Sequence, residues 1–201
     1  ESLDPILGRY YAIDKDLQQP IRQVVQTILA GQIFDVERFE IQEGTIETAE
    51  ELMHYCYQVA GCVGEFWSEI GWITQPSFST LPKETLMELG RSFGIGLQLI
   101  NILRDAPKDF AVGRIYLPAM DSLDMDCIEP WLFAAREGLA DGVMYADSLK
   151  SRRTRLATYL PAAIGLDTLN KLENADTYQW LEGVKIKRSQ VYRAMLEGLL
   201  R

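Results

Sequence analysis

The sequence predicts an all-α fold. Apolar residues recur at three- and four-residue spacings through most of the 201 residues, and the alternating pattern typical of β-strands is almost absent. Proline or capping residues stand at the start of most of these periodic segments, and turn-forming residues separate them. A chain of this length can bury one sizeable core, so we expect residues 1–201 to form a single domain.

Four helices are predicted in the N-terminal half. Thr48-Ala-Glu-Glu51 fits a capping box, in which the side chains of the first and last residues bond to backbone amides. A turn is predicted at 42–45, which contains Gly44, and a loop at 74–80, which contains Pro76. The predicted helices span about 5–16, 20–39 and 48–72, and a fourth begins at 82.

The C-terminal half is predicted to hold an irregular segment and three further helices. Residues 113–126 contain a glycine, a proline and several aspartates, which interrupt any helical period. Pro130 starts a long helix that we expect to end near residue 159. Two shorter helices follow at about 168–181 and 189–200, after a turn indicated by Pro161, Gly165 and Asp167.

Composition narrows the class of protein. The net charge of −9 argues against a nucleic-acid partner. No apolar run approaches the roughly 18 residues of a membrane span, and the chain does not open with a signal-peptide pattern. Cys56, Cys62 and Cys127 have no metal-binding spacing and indicate a reducing compartment, and His54 is expected on a helix surface. We therefore expect a cytoplasmic protein.

One polar stripe interrupts an otherwise apolar helical segment. An α-helix turns about 100° per residue, so four polar residues of this segment fall within an arc of about 80°. Bare carboxylates are costly to bury unpaired, so a stripe of this kind needs a ligand or counter-charge. Two aspartates four residues apart are typical oxygen donors for Mg²⁺ bound together with a phosphate. The alternative is a solvated helix surface. The stripe consists of Gln98, Asn101, Asp105 and Asp109.

Three segments resemble one known family. Asn101-Ile-Leu-Arg-Asp105, with Asp109 and Gly113-Arg-Ile-Tyr-Leu-Pro118, resembles the second aspartate-rich signature of the squalene/phytoene synthase family. Tyr55-Cys-Tyr-Gln-Val-Ala-Gly-Cys-Val-Gly64 resembles a second block of that family, and Gly31-Gln-Ile-Phe-Asp35 a third, weaker one. Their order and spacing also match, so the resemblance covers nearly all of residues 1–201.

The resemblance implies a fold and a reaction. The fold is the class I isoprenoid synthase bundle, an all-α domain around a central apolar cavity. The reaction is the Mg²⁺-dependent head-to-head joining of two farnesyl diphosphates through a cyclopropyl (presqualene-type) diphosphate, giving squalene or a related C30 product. The family also has an earlier aspartate-rich motif, and Asp14-Lys-Asp16 does not replace it because its two carboxylates point to different helix faces. We expect the chain to lack the N-terminal helices that carry this motif.

The resemblance also implies roles for individual residues. Asp105, Asp109 and Asn101 would hold the metal, although a bend at Pro107 would move Asp109 off the stripe. Gln98, Arg104, Arg114 and the hydroxyl of Tyr116 would contact the diphosphate. For Arg104 a salt bridge to a neighbouring helix is the alternative, for Tyr116 a half-buried structural tyrosine is the alternative, and for Lys108 a solvated lysine is favoured.

A second group of residues is expected around the prenyl chain. Tyr55 would lie near the reacting carbons, where an aromatic face stabilises a carbocation. Val59 and Val63 would line the chain tunnel together with other apolar residues of one helix face, and plain core packing is the alternative. Asp35 would face the cavity, and an exposed salt bridge with Arg38 is the alternative. The face comprises Tyr55, Val59, Cys62, Val63, Phe66 and Ile70; for the bulky Phe66 and Trp67 core packing is favoured.

Other functions of the same fold stay open. These are a non-catalytic assembly factor, a phytoene synthase that uses C20 diphosphates, and a cyclase or head-to-tail synthase, against which the family-specific blocks argue. Squalene as product would require NADPH, whereas dehydrosqualene, phytoene or presqualene diphosphate would not. An apolar product also leaves room for peripheral membrane contact during release. No partner protein follows from the sequence.

Overall fold

Helices form nearly all of the regular structure in the computed structural model, which describes residues 4–41 and 44–201. These residues contain no β-strand, apart from one isolated bridge between Ser79 and Leu149, so the predicted all-α class is confirmed. None of their helices is long and apolar enough to cross a membrane. The helices are α1 (Asp4–Tyr11), α2 (Lys15–Asp35), α3 (Ala49–Cys56), α4 (Cys62–Thr74), α5 (Lys83–Ala111), α6 (Glu129–Ser148), α7 (Arg152–Glu173), α8 (Thr177–Glu182) and α9 (Arg188–Leu200).

Helix α5 is the central helix and packs against α4, α6 and α7. Its apolar side, which includes Leu99 and Leu103, is fully buried in the main core. A Cβ atom on Gly64 would lie 1.8 Å from the carbonyl oxygen of Gly90, so the backbones of α4 and α5 touch and only glycine fits there. Gly94 meets the backbone of Ala60 in the same way, which makes the two helices antiparallel.

Helix α5 continues without a break through Pro107 to Ala111. Proline has no N–H to donate to the carbonyl of the residue four positions earlier, which is Leu103. The indole N–H of Trp180, on α8, donates to that carbonyl at 2.8 Å. Asp109 therefore stays on the same helix as Asp105, and Pro107 does not remove it from the stripe.

The predicted end of the helix that starts at Pro130 is wrong. The helix expected to end near residue 159 is two helices, because α6 ends at Ser148 and α7 begins at Arg152. The chain leaves the helix there to bond with residues 78–80: Lys150 N–H donates to the Phe78 carbonyl, and Thr80 N–H to the Ser148 carbonyl. The turn predicted at 161–167 lies inside α7, where Gly165 lets the side chain of Leu139 pack close.

The N-terminal helix boundaries also differ from the prediction. Helix α1 ends at Tyr11, and α2 begins at Lys15 because the Asp14 side chain caps it by accepting from the Asp16 amide at 3.4 Å. Pro20, the predicted start, is buried inside α2. Residues 42 and 43 of the predicted turn lie outside the described residues.

The cap predicted for the third helix forms only in part. Thr48 accepts from the Glu51 amide at 3.1 Å, as expected. The Glu51 carboxylate accepts from the amide of Glu47 at 2.8 Å, one residue before the expected partner. The helix predicted at 48–72 is interrupted at Tyr57–Gly61, which forms a π-helical segment between α3 and α4.

Candidate active site

The polar stripe of α5 lines one wall of a cavity of about 480 Å³. Tyr116, in the irregular segment after α5, also lines this cavity. The structure thus brings together most of the residues that the sequence analysis assigned to the diphosphate and the metal. The cavity is lined by Gln98, Asn101, Ile102, Arg104, Asp105, Lys108, Asp109 and Tyr116.

Asp105 is held by two cations of its own helix. Arg104 donates to both of its carboxylate oxygens, at 3.1 Å from Nε to Oδ1 and through a second, shorter contact from Nη2 to Oδ2. The Nζ of Lys108 lies 3.6 Å from Oδ1. The hydrogen bonds from Arg104 lower the pKa of Asp105. Arg104 pairs with Asp105, its neighbour in the chain. The alternative for Arg104, a salt bridge to a neighbouring helix, is not observed among the described residues.

Asp109 lies in the opposite electrostatic situation. Burial and the negative charges of Asp105 and Asp35 raise its pKa, and the nearby cations Arg114 and Lys108 offset this only in part. Two aspartates one helical turn apart therefore differ: hydrogen bonds from Arg104 favour the charged form of the first, and burial disfavours the charged form of the second. A bound cation would favour the charged form of both.

Asp35 joins two tyrosines and an arginine beside this cavity. Its Oδ1 accepts from the hydroxyls of Tyr55 at 3.0 Å and Tyr116 at 2.7 Å, and Arg114 Nη1 lies 3.6 Å from its Oδ2. The two tyrosine rings stack with centroids 5.4 Å apart. Burial is the main cause of the raised pKa of both phenols. Arg38, the partner of Asp35 in the alternative interpretation, binds Glu51 instead.

The backbone around this cluster is irregular on both sides. Asp35 is the last residue of α2, and a π-helical segment, Val36–Ile41, follows it directly. Tyr55 lies just before the π-helical segment Tyr57–Gly61. π-Helical turns inserted in α-helices occur frequently at functional sites, because each one changes the direction of the side chains that follow.

A second, apolar cavity of about 410 Å³ lies next to the polar one along α5. Val59 and Val63 line it, as expected for the chain tunnel, and Leu97 lines it next to Gln98 of the polar cavity. Residues of α5, α6 and α7 that sequence reasoning missed complete the wall. The lining residues are Val59, Ala60, Val63, Gly64, Trp67, Gly90, Phe93, Gly94, Leu97, Tyr145, Ala157, Thr158 and Pro161.

The helix face predicted around Val59 is divided between two sides of α4. Cys62 and Phe66 face a groove against α2, whereas Val59, Val63 and Trp67 face the apolar cavity. The π-helical segment shifts the helical register after Tyr57, so an unbroken 3.6-residue period does not apply across it. Core packing is the wrong interpretation for Trp67, which is 43% exposed.

The donor set fits Mg²⁺ bound together with an anionic ligand. No group of three or more His, Cys, Asp or Glu side chains capable of holding a metal occurs within 4–41 and 44–201. Mg²⁺, however, commonly takes one or two carboxylates and completes its shell with water and phosphate oxygens. Asp105, Asp109 and Asn101 line one cavity, so two carboxylates and one amide are available to such an ion there.

Comparisons with a family model and with known proteins point to the same family. The squalene/phytoene synthase family model matches residues 1–127. The 4,4'-diapophytoene synthase of Staphylococcus haemolyticus is 29% identical over 195 residues, which are 87% of this chain and 62% of that protein. The 15-cis-phytoene synthase of Synechocystis sp. is 39% identical over 111 residues, which are 51% of this chain and 29% of that protein.

A solved structure has a similar fold. The structure of TcSQS with the ligand BPH1237 matches with a TM-score of 0.78 at 20% identity, covering 94% of this chain and 59% of that chain. At this identity the likeness shows the fold. The chain spans less than two thirds of the length of each of these three proteins.

Proposed function

Because this chain belongs to the squalene/phytoene synthase family, we propose that the protein joins two farnesyl diphosphates head to head through a cyclopropyl diphosphate to a C30 product. One observation carries the proposal: a single face of α5 lines a charged cavity and, directly beyond it, an apolar one. A ligand with an anionic head and a long apolar tail matches that order.

Leu97 lines the apolar cavity and the next residue, Gln98, lines the polar one. From there the polar stripe extends to Asp109, a distance of about 17 Å at 1.5 Å per residue. In the other direction the apolar lining extends to Gly90. The diphosphate would lie over the polar part, where Arg104, Lys108 and Arg114 supply cations, and the prenyl chain would lie along the apolar part.

The stripe would hold Mg²⁺ through Asp105, Asp109 and Asn101, with Gln98 placed to bond a water or the diphosphate. When bound, Mg²⁺ supplies charge neutralisation for the leaving diphosphate. The chain's own contribution is positioning: α5 fixes the two carboxylates one turn apart on one cavity wall. Arg104 already contacts Asp105, so it would orient this carboxylate and reach the diphosphate from the same position.

Tyr55 and Tyr116 would act through their rings. Both hydroxyls donate to Asp35, so neither phenol proton is free for the diphosphate in this arrangement. The stacked rings instead offer π-faces, which attract a developing carbocation as they attract an ammonium ion. Asp35 would therefore serve the substrate indirectly, by holding the tyrosine pair, and not through direct contact.

The far end of the apolar cavity favours a C15 over a C20 chain. Gly64 contacts Gly90 and Gly142 contacts Phe93, so Trp67 and Tyr145, three residues further along their helices, lie toward the end of the cavity away from Gln98. The Tyr145 hydroxyl lies 2.9 Å from Ser68 Oγ, which fixes its ring, and the close packing of Gly64 on Gly90 sets the distance between α4 and α5. The remaining adjustable side chain is Trp67, so its indole would limit chain length.

The test is incubation of the full-length protein with labelled farnesyl diphosphate and Mg²⁺, with and without NADPH, followed by product analysis. We expect a C30 product and release of diphosphate, both abolished by chelation of the metal. A product that forms only with NADPH would be squalene, and one that forms without it would be dehydrosqualene or the cyclopropyl diphosphate. Absence of any C30 product and of diphosphate release would contradict the proposal.

A further inference from the structure

We propose that Trp180 is a positioning residue for the aspartate stripe. Its indole N–H takes the place of the backbone N–H that Pro107 lacks, and so keeps α5 helical between Asp105 and Asp109. The role in turnover rests on the proposed function, whereas the hydrogen bond and its effect on the helix do not.

The first step is that the Leu103 carbonyl needs a substitute donor. In an unbroken α-helix this oxygen would accept from residue 107, which here is proline. Leu103 is fully buried, and Ala106 and Pro107 beside it are buried as well. Water therefore cannot replace the missing donor, and a buried acceptor without a partner is costly enough to open a helix locally.

The second step is that Trp180 is fixed in place to supply that donor. It is 0% exposed and belongs to the same core cluster as Leu103 and Ala106. Its helix, α8, starts with a capping box in which Asp176 accepts from the Gln179 amide at 2.8 Å and the Gln179 side chain accepts from the Asp176 amide at 3.2 Å. The indole is thus held by its packing and by the cap of its own helix.

The third step connects this bond to the site. Only Lys108–Ala111 continue α5 beyond the proline, and this short stretch carries Asp109. The Asp109 carbonyl also accepts from the Arg114 amide at 2.8 Å, so the same turn directs Arg114 toward Asp35 and Glu40. Loss of the Trp180 bond should therefore disturb Asp109 and Arg114, and leave Asp105, which precedes the proline, in place.

The experiment is a double-mutant cycle between Trp180→Phe, which removes the N–H and keeps a ring, and Pro107→Ala, which restores the backbone donor. Hydrogen exchange of the amides at 108–114 is the first readout and needs no substrate. We expect about tenfold faster exchange in Trp180→Phe and a much smaller change when Pro107→Ala is also present. Turnover of the full-length protein is the second readout, with a fall in kcat of about tenfold that Pro107→Ala reverses.

Trp72→Phe is the matched control. The indole nitrogen of Trp72 is buried but has no hydrogen-bond partner among the described residues, so this variant loses an indole without losing a bond. Equal effects of both Trp→Phe changes on exchange at 108–114, or an effect of Trp180→Phe that Pro107→Ala does not reduce, would overturn the inference. If exchange follows the expectation but wild-type protein gives no turnover, the proposed function fails and the positioning of the helix stands.

Discussion

The two halves of the α5 face differ in the side chains that they present and in what those side chains contact. Toward the C-terminus the helix presents charged side chains to a cavity, and one of them, Asp109, has a pKa raised by burial and by the nearby charge of Asp105. Toward the N-terminus it presents glycines, and at Gly90 its backbone touches that of α4. The C-terminal half thus carries an electrostatic cost at the proposed binding site. The N-terminal half gains rigidity from its close contact with α4.

This difference separates two kinds of mutational sensitivity. Changes in the polar half should reduce activity and change stability only slightly, in either direction, because its side chains face a cavity. Changes in the glycine contact should reduce stability first, because no space exists for an added atom. The predictions below test this division, from the largest expected effect to the smallest.

Asp105→Asn should have the largest effect. It removes a carboxylate from the proposed metal site, and we expect turnover of the full-length protein to fall by about 10³-fold or more. Steady-state assays over a range of Mg²⁺ concentrations measure this loss. Asp121→Asn, an exposed change outside both cavities, is the control and should leave turnover unchanged. Wild-type-like activity of Asp105→Asn would contradict the assignment.

Gly64→Ala should be the most destabilising change in the apolar half. Its Cβ would lie 1.8 Å from the Gly90 oxygen, and backbone atoms cannot move aside as a flexible side chain can. We expect the free energy of unfolding to fall by about 3 kcal/mol, measured by denaturant titration. Gly8→Ala in α1 meets nothing within 4 Å and should raise the free energy of unfolding by up to about 1 kcal/mol. Equal effects of the two changes would refute the close contact.

Trp67→Ala should change chain-length selection without unfolding the protein, since the indole is 43% exposed. With farnesyl and geranylgeranyl diphosphates in competition, we expect the ratio of C40 to C30 product to rise by about tenfold. Phe66→Leu is the matched control, because Phe66 is the next residue but faces the groove against α2. If both variants keep the wild-type product ratio, Trp67 does not limit the length of the prenyl chain.

Asp109→Asn should have the smallest effect on stability, a gain in the free energy of unfolding of less than about 1 kcal/mol at pH 7 in the absence of metal. The pKa of Asp109 is raised, so its charged form is disfavoured in the folded state and the neutral amide removes that cost. The gain should shrink as the pH falls through the raised pKa, where the wild-type carboxyl is itself neutral. Denaturation midpoints at several pH values measure it.

Asp105→Asn should change stability in the opposite direction when the same denaturation midpoints are measured. The pKa of Asp105 is lowered by Arg104, so its contribution to stability is present above the unfolded-state pKa and is lost as the pH falls through the folded one. Asp105→Asn should therefore lower stability at pH 7. If both aspartate variants shift stability in the same direction, the electrostatic difference between the two residues is wrong.

The sequence predicted the stripe because it depends on local geometry. Residues 98, 101, 105 and 109 share a face in any α-helix, and the structure places all four on one cavity wall. Family-specific blocks pointed to Asp35, Tyr55 and Tyr116, but their mutual hydrogen bonds depend on how α2, α3 and the segment after α5 meet in space. No local spacing contains that information.

Other features required tertiary contacts that one-dimensional patterns do not contain. The break between α6 and α7 arises from hydrogen bonds to residues 78–80, far away in sequence. Pro107 suggested a bend, and the helix continues because Trp180, 73 residues later, satisfies the freed carbonyl. A signal for the missed part of the apolar cavity was present in Gly90 and Gly94, whose spacing of four marks a helix face that allows close approach.

The most direct test of the central claim is a crystal structure of the full-length protein with Mg²⁺ and a non-hydrolysable farnesyl thiodiphosphate. The account predicts the diphosphate beside Asn101, Asp105 and Asp109, and the prenyl chain running past Leu97 toward Trp67. A ligand with its chain outside the apolar cavity, or with its diphosphate away from the α5 stripe, would contradict it.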